Sequence, residues 1–163
     1  MSDLYIGTKL INAGPMTRAA YCAFRGWAVP TDENPADEGY LIEYLDGGKP
    51  NTAQYADYVS WVPKEQFDKA YRKTAGLSFG MAVEALKIGK KVARAGWNGT
   101  GMFVYLVPGS QFKVNRAPLL GIYPEGTDIT YCPHMDLKTA DGSIATWAPS
   151  NSDALADDWY IVE

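Results

Sequence analysis

The chain has 163 residues, 47% of them hydrophobic and 13% aromatic, which is enough apolar material for one ordinary domain or two small ones. Its formal charge of −4 is spread evenly, with 8 basic against 10 acidic side chains over residues 1–76 and 7 against 9 over residues 77–163. Neither half therefore carries the basic face with which a nucleic-acid binder grips a phosphate backbone, and DNA and RNA are set aside as partners, although a pocket for one small nucleotide needs only a few donors. No apolar run approaches the roughly 20 residues that cross a bilayer, so no membrane association is expected. Cys22 and Cys132 are the only cysteines, and no charged stretch followed by an apolar core opens the chain. This predicts a reduced, cytoplasmic protein.

In chain order, the first part predicts a strand over about residues 5–11 and a short helix opened by Thr17. Residues 30–39 hold two prolines among turn formers and read as a loop. A strand over 40–45, a turn at Asp46-Gly47-Gly48, a strand over 58–61 and a helix over about 64–72 complete a small α+β unit. The polar and small run Arg72-Lys73-Thr74-Ala75-Gly76 sets a boundary near residue 75, with domains of 1–75 and 76–163. The second part opens with a helix capped by Ser78, whose apolar residues Phe79, Ala82, Val83 and Leu86 fall at i, i+3, i+4 and i+7, and which stops at Gly89. Strands follow over 92–94, 102–107, 129–131, 135–138 and 145–147, the last two separated by the turn Ala140-Asp141-Gly142. A short capped helix within 150–156 and a closing strand at Trp159–Val162 end the chain. The expected fold class is α+β in two small domains, the second a helix packed on a curved antiparallel sheet.

The search for catalytic chemistry returns absences. The single histidine, His134, sits in Cys132-Pro133-His134 without the repeated Cys/His spacing of a zinc site, and borrowing Asp136 leaves the ligand set short. No serine has nucleophile-elbow spacing. Asn98-Gly99-Thr100-Gly101 lacks the lysine and the following helix of a phosphate-binding P-loop. The acidic trio Asp153, Asp157 and Asp158 reads as a solvated face. Accordingly no catalytic residue, metal or cofactor is assigned.

What remains is suited to holding a nucleotide. The run from Ala93 to Phe103 places Trp97 and short polar arms between glycines just before a strand, which is how a binding loop is written, although a hairpin corner with a buried tryptophan is the competing reading. Phe79, Trp97 and Trp147 offer stacking faces, each worth about 1–3 kcal/mol per base. Asn98, Thr100, Asp136, Lys138 and Thr146, with Asp141 beside them, offer hydrogen bonds to base edges, ribose hydroxyls and phosphate. Lys138 is the only lysine or arginine after Arg116, and is the natural partner of a phosphate there.

Several ordered motifs between Leu77 and Glu163 carry a family resemblance. They are Phe79-Gly80-Met81-Ala82-Val83-Glu84-Ala85-Leu86-Lys87, Gly89-Lys90-Lys91-Val92-Ala93-Arg94, Gly96-Trp97-Asn98-Gly99, Tyr105-Leu106-Val107-Pro108-Gly109-Ser110, Asn115-Arg116-Ala117-Pro118-Leu119, His134 through Gly142, and Asp157-Asp158-Trp159. This half resembles the phage-encoded Thoeris anti-defence proteins of the second type. The resemblance implies a homotetrameric sponge, not an enzyme, that holds cyclic ADP-ribose isomers uncut in the host bacterial cytoplasm, with sites where protomers meet and with cyclic dinucleotides as a further ligand class in some members. It implies a ligand-contacting role for Trp97, and Phe79 matches a family aromatic at the start of its helix. The segment Thr146-Trp147-Ala148-Pro149-Ser150 departs from the family's usual Pro-Trp start. The alternatives are an enzyme degrading the same nucleotide, with His134, Asp136 and Asp141 as its acid and base groups, or a protein-interaction module. Residues 5–72 resemble a stretch that recurs in phage proteins without a known activity, and its aromatics, among them Trp27, Tyr40, Tyr44, Tyr58 and Trp61, suffice for a small core and an interface.

Overall fold

Thr17 starts the first helix as its residue type predicts: its side-chain oxygen accepts the Ala20 N–H at 3.2 Å, satisfying one of the donors a helix start leaves unpaired. The computed structural model describes Leu4 and residues 7–163, and the chain divides into two units, residues 1–72 and 73–163. The fold class is α+β. Among the described residues no helix is long and apolar enough to cross a membrane.

The first unit comprises β1 (Ile11–Pro15), α1 (Arg18–Arg25), β2 (Gly39–Tyr44), β3 (Val59–Pro63) and α2 (Lys64–Ala70). Its strands form an antiparallel sheet in the order β1-β2-β3, with Ile11 opposite Tyr44 and Leu41 opposite Trp61. Tyr21, Leu41 and Val59 are buried together, and Met16, Phe24, Tyr55 and Trp61 pack around them. Asn51 stands in for a strand neighbour: its amide bonds both the N–H and the C=O of Val59, at 2.9 and 2.8 Å. The expected strand over residues 5–11 is corrected in part. Tyr5 and Ile6 lie outside the described residues, residues 7–10 are not strand, and β1 begins at Ile11. Pro15 is tolerated there because β1 lies at the sheet edge and the proline closes it.

The second unit contains β4 (Ala75–Leu77), α3 (Phe79–Lys87), β5 (Lys91–Arg94), β6 (Phe103–Val107), β7 (Ser110–Lys113), a 3-10 turn (Leu119–Gly121), β8 (Asp128–Tyr131), β9 (His134–Lys138), β10 (Ile144–Trp147), α4 (Asn151–Ala154) and β11 (Trp159–Val162). Six strands pair antiparallel in the order β10-β9-β6-β5-β11-β4, and β7 and β8 form a separate ribbon. α3 lies on one face of the large sheet: Ala82, Ala85 and Leu86 are buried against Leu77, Val92, Val104 and Trp159. Two strands were not anticipated. β4 is three residues, Ala-Gly-Leu, with little intrinsic strand preference, and it exists because β11 pairs with it. β7 has no buried residue and likewise depends on its partner β8.

Leu86 is 2% exposed at the centre of this core, so Leu86→Ala removes a packed side chain. It is expected to lower the stability of the second unit by about 3 kcal/mol, against about 1 kcal/mol for loss of the Thr17 cap in Thr17→Ala, both read from urea denaturation curves.

Candidate functional site

Four aromatic rings converge where α3, the loop after β5, the end of β10 and the start of β11 meet. Ser78 caps α3 by accepting the Met81 N–H at 3.5 Å, which makes Phe79 the first helical residue. The Phe79 ring lies 5.4 Å from that of Trp159 and 6.3 Å from that of Trp147, centroid to centroid. Trp97 lies 5.4 Å from Trp159 and 6.1 Å from Trp147, while Trp147 and Trp159 are 6.0 Å apart. The three indoles meet at 71°, 72° and 77°, the edge-to-face geometry that the ring quadrupoles favour. Trp159 is fully buried, whereas Phe79, Trp97 and Trp147 are half-buried and keep part of their surface open. Trp97 is thus a corner tryptophan that leaves part of its ring open.

A polar hub fixes this cluster from behind. Asp153, the third residue of α4, is buried at 8% exposure. One carboxylate oxygen accepts from Arg94 Nη1 at 2.8 Å and from the Trp97 indole N–H at 3.1 Å. The other accepts from Ser150, through its N–H at 3.1 Å and its hydroxyl at 2.6 Å, and Ser150 in turn accepts the Asp153 N–H at 3.2 Å, a complete capping box. The main-chain carbonyl of Asp153 accepts the Trp159 indole N–H at 3.0 Å. Beside it, Asp158 accepts from Arg94 Nε at 2.7 Å and from the Gly96 N–H at 2.8 Å. A Cβ at residue 96 would stand 2.8 Å from that carboxylate, so any larger residue there would have to push the Asp158 carboxylate aside. Burial pushes the Asp153 carboxyl up, but the donors from Ser150, Arg94 and Trp97 outweigh it and hold the pKa at about 2. Arg94 and the Gly96 N–H likewise hold Asp158 below the usual carboxylate range. The acidic trio is therefore not a solvated face: only Asp157 is exposed.

The polar residues expected in the site are distributed differently. Asn98 and Thr100 are exposed on the turn after Trp97, which closes through Gly101 at φ 68°. Lys138 donates to the Gly101 carbonyl at 3.2 Å and stands 5.8 Å over the Phe103 ring, tying β9 to that turn. Asp136 is opposite Thr146 on one side and Tyr105 on the other. Strand alternation puts Asp136, Lys138 and Thr146 on the sheet face away from α3, because their neighbours Met135, Leu137 and Trp147 pack toward the helix side. The eight expected residues therefore form an aromatic group on one face, a polar group on the other, and a turn at the edge. His134 Nε2 stands 3.5 Å from Asp136 Oδ1, and its Nδ1 is 3.0 Å from the Cys132 carbonyl.

A cleft of about 630 Å³ lies elsewhere in this unit, lined by Phe112, Val114, Asn115, Arg116, Pro118 and Tyr131 among others, and by none of the eight. Its residues include the run Asn115-Arg116-Ala117-Pro118-Leu119, seen in the sequence but given no role there. The Arg94–Asp153 hub was likewise missed. The capping-box spacing Ser150-x-x-Asp153 was the available signal, whereas the pairing with Arg94, 59 residues away, has no local trace.

The low pKa of Asp153 gives a signed expectation. A carboxyl whose pKa is lower folded than unfolded stabilises the fold above the unfolded value, and that stability disappears as pH falls through the folded value. From an ordinary 3.8 to about 2, this is on the order of 2 kcal/mol, lost between about pH 4 and pH 2. Asp153→Asn should remove that part of the acid dependence of the second unit in pH-jump denaturation, leaving the wild-type chain less favoured over the variant as pH falls.

Comparison with known proteins agrees with this half of the chain. A model of the Thoeris anti-defense 2-like domain matches residues 77–162. A protein of Bacillus phage SP01 named Thoeris anti-defense 2 is 40% identical over 89 residues, 53% of this chain and 94% of that relative. The matched region holds the aromatic cluster, the Asp153 hub and the whole of α3 and β5 through β10, and the chain belongs to the Thoeris anti-defense 2-like family.

Proposed function

We propose that this protein blocks Thoeris defence by binding a cyclic ADP-ribose-type signalling nucleotide and holding it uncut in the host bacterial cytoplasm. The observation that carries the reading is the half-open aromatic group of Phe79, Trp97 and Trp147 beside the exposed polar turn of Asn98 and Thr100. Open ring surface stacks on a base irrespective of its identity, and the turn supplies short donors and acceptors at the edge of that platform. Asp136, Lys138 and Thr146 contribute from the opposite sheet face. One protomer does not wrap a ligand with both faces at once, so the reading places the ligand where copies of the chain meet, in a homotetramer. A sponge must bind below the working concentration of its signal, and a nanomolar constant corresponds to about −12.3 kcal/mol. Enclosure between protomers supplies the buried area that a shallow single-chain platform lacks. No cofactor and no catalytic group enters this account.

Calorimetric titration with a cyclic ADP-ribose isomer, followed by heat denaturation and chromatography of the released nucleotide, tests it. Tight binding with intact ligand recovered is expected, and altered ligand would make the protein an enzyme. Absence of heat would direct the same titration to cyclic dinucleotides. Trp97→Ala should weaken binding by about tenfold to a hundredfold, the equivalent of one lost stacking contact. Unchanged affinity would remove Trp97 from the site.

A further inference from the structure

We propose that Asp153 and Arg94 are positioning residues for ligand capture: they hold the Trp97 indole and its loop in the orientation presented to the nucleotide without touching the nucleotide themselves. The inference rests on the nucleotide reading above.

The loop that carries Trp97 is rich in glycine, and such a segment left alone samples many conformations that binding would have to freeze. Here each residue from 95 to 97 is tied. The Ala95 N–H donates to the Asp158 carbonyl at 3.1 Å, and the Gly96 N–H to the Asp158 carboxylate at 2.8 Å. The Trp97 N–H donates to the Arg94 carbonyl at 3.4 Å, and the Trp97 indole N–H to Asp153 at 3.1 Å. The last bond fixes the rotation of the ring, because an indole donates from one edge only. Trp147 is a useful contrast. Its ring occupies the same cluster, yet among the described residues no acceptor meets its indole N–H.

Arg94 makes the arrangement possible. Two carboxylates converge on the loop, and one planar guanidinium satisfies both, through Nη1 to Asp153 and Nε to Asp158. Its side chain is 17% exposed, and the fork geometry serves two acceptors at fixed angles where a lysine ammonium would be a single point. A ring held in place before the ligand arrives costs less to order on binding.

The test uses the full chain with ¹⁵N-labelled indoles and a cyclic ADP-ribose isomer as probe. In Asp153→Asn the Trp97 indole N–H should exchange with solvent at least about tenfold faster than in wild type, and affinity should fall about tenfold. Arg94→Lys should move both readouts in the same direction. Val114→Ala, which truncates a buried side chain outside the core on which the rings pack, should bind as wild type does, which separates positioning from stability. Should Asp153→Asn not fold, Trp97→Phe against Trp147→Phe decides: both shorten a ring, only the first deletes an anchored N–H, and the first should lose about tenfold more affinity. Wild-type exchange and affinity in Asp153→Asn, or equal losses in the two phenylalanine variants, overturn the proposal. A wild-type chain that binds no nucleotide overturns the reading beneath it.

Discussion

The carboxylate of Asp153 is a charge taken out of water, and an ionised carboxylate tolerates burial only when most of its lone pairs are met. It is met from three directions: by Ser150 on its own helix turn, by Arg94 from β5 and by Trp97 from the loop beyond β5. Its backbone carbonyl holds a fourth element through Trp159. These bonds converge on the face of the sheet where the aromatic rings meet, so the capping of a four-residue helix, the path of a glycine-rich loop and the seating of a fully buried tryptophan depend on one another. Such a network is stable only when complete, since removal of one partner leaves another charge half-buried and unpaired.

This constraint shapes what the surface offers. A chain with an excess of acidic groups is poorly suited to gripping a polyanion by charge. Recognition then falls to stacking and to a few directed hydrogen bonds, for which rigidity counts more than field. In the proposed function the rings supply attraction and the hub behind them supplies order, while Lys138 donates to the Gly101 carbonyl of the turn that carries Asn98 and Thr100. Placing the polar and aromatic groups on opposite sheet faces is wasteful in a monomer and sensible where copies of the chain share ligand.

Much of the fold was legible because its signals are local. Thr17, Ser78 and Ser150 each cap the helix that follows them, and Phe79, Ala82, Val83 and Leu86 repeat at helical spacing with their buried members on the sheet. β4 and β7 were not legible, since their residues have weak strand preference and depend on pairing with distant strands. The start of β1 is set for a related reason by its register against β2, which begins at Ile11 opposite Tyr44. Within the site, residue types pointed to Trp97, Phe79 and Trp147, and these do come together. Three aspartates near a short helix point to a solvated face, yet Asp153 is buried. The partner that buries Asp153 lies on another strand, and no spacing within the trio discloses it.

A crystal structure of the chain with a bound cyclic ADP-ribose isomer would locate the nucleotide. The expected result is an uncleaved nucleotide with its base against Trp97 or Trp147, the Asp153–Trp97 bond intact, and contacts from more than one protomer. Ligand seated in the cleft of Phe112, Arg116 and Tyr131, with the aromatic group untouched, would contradict it.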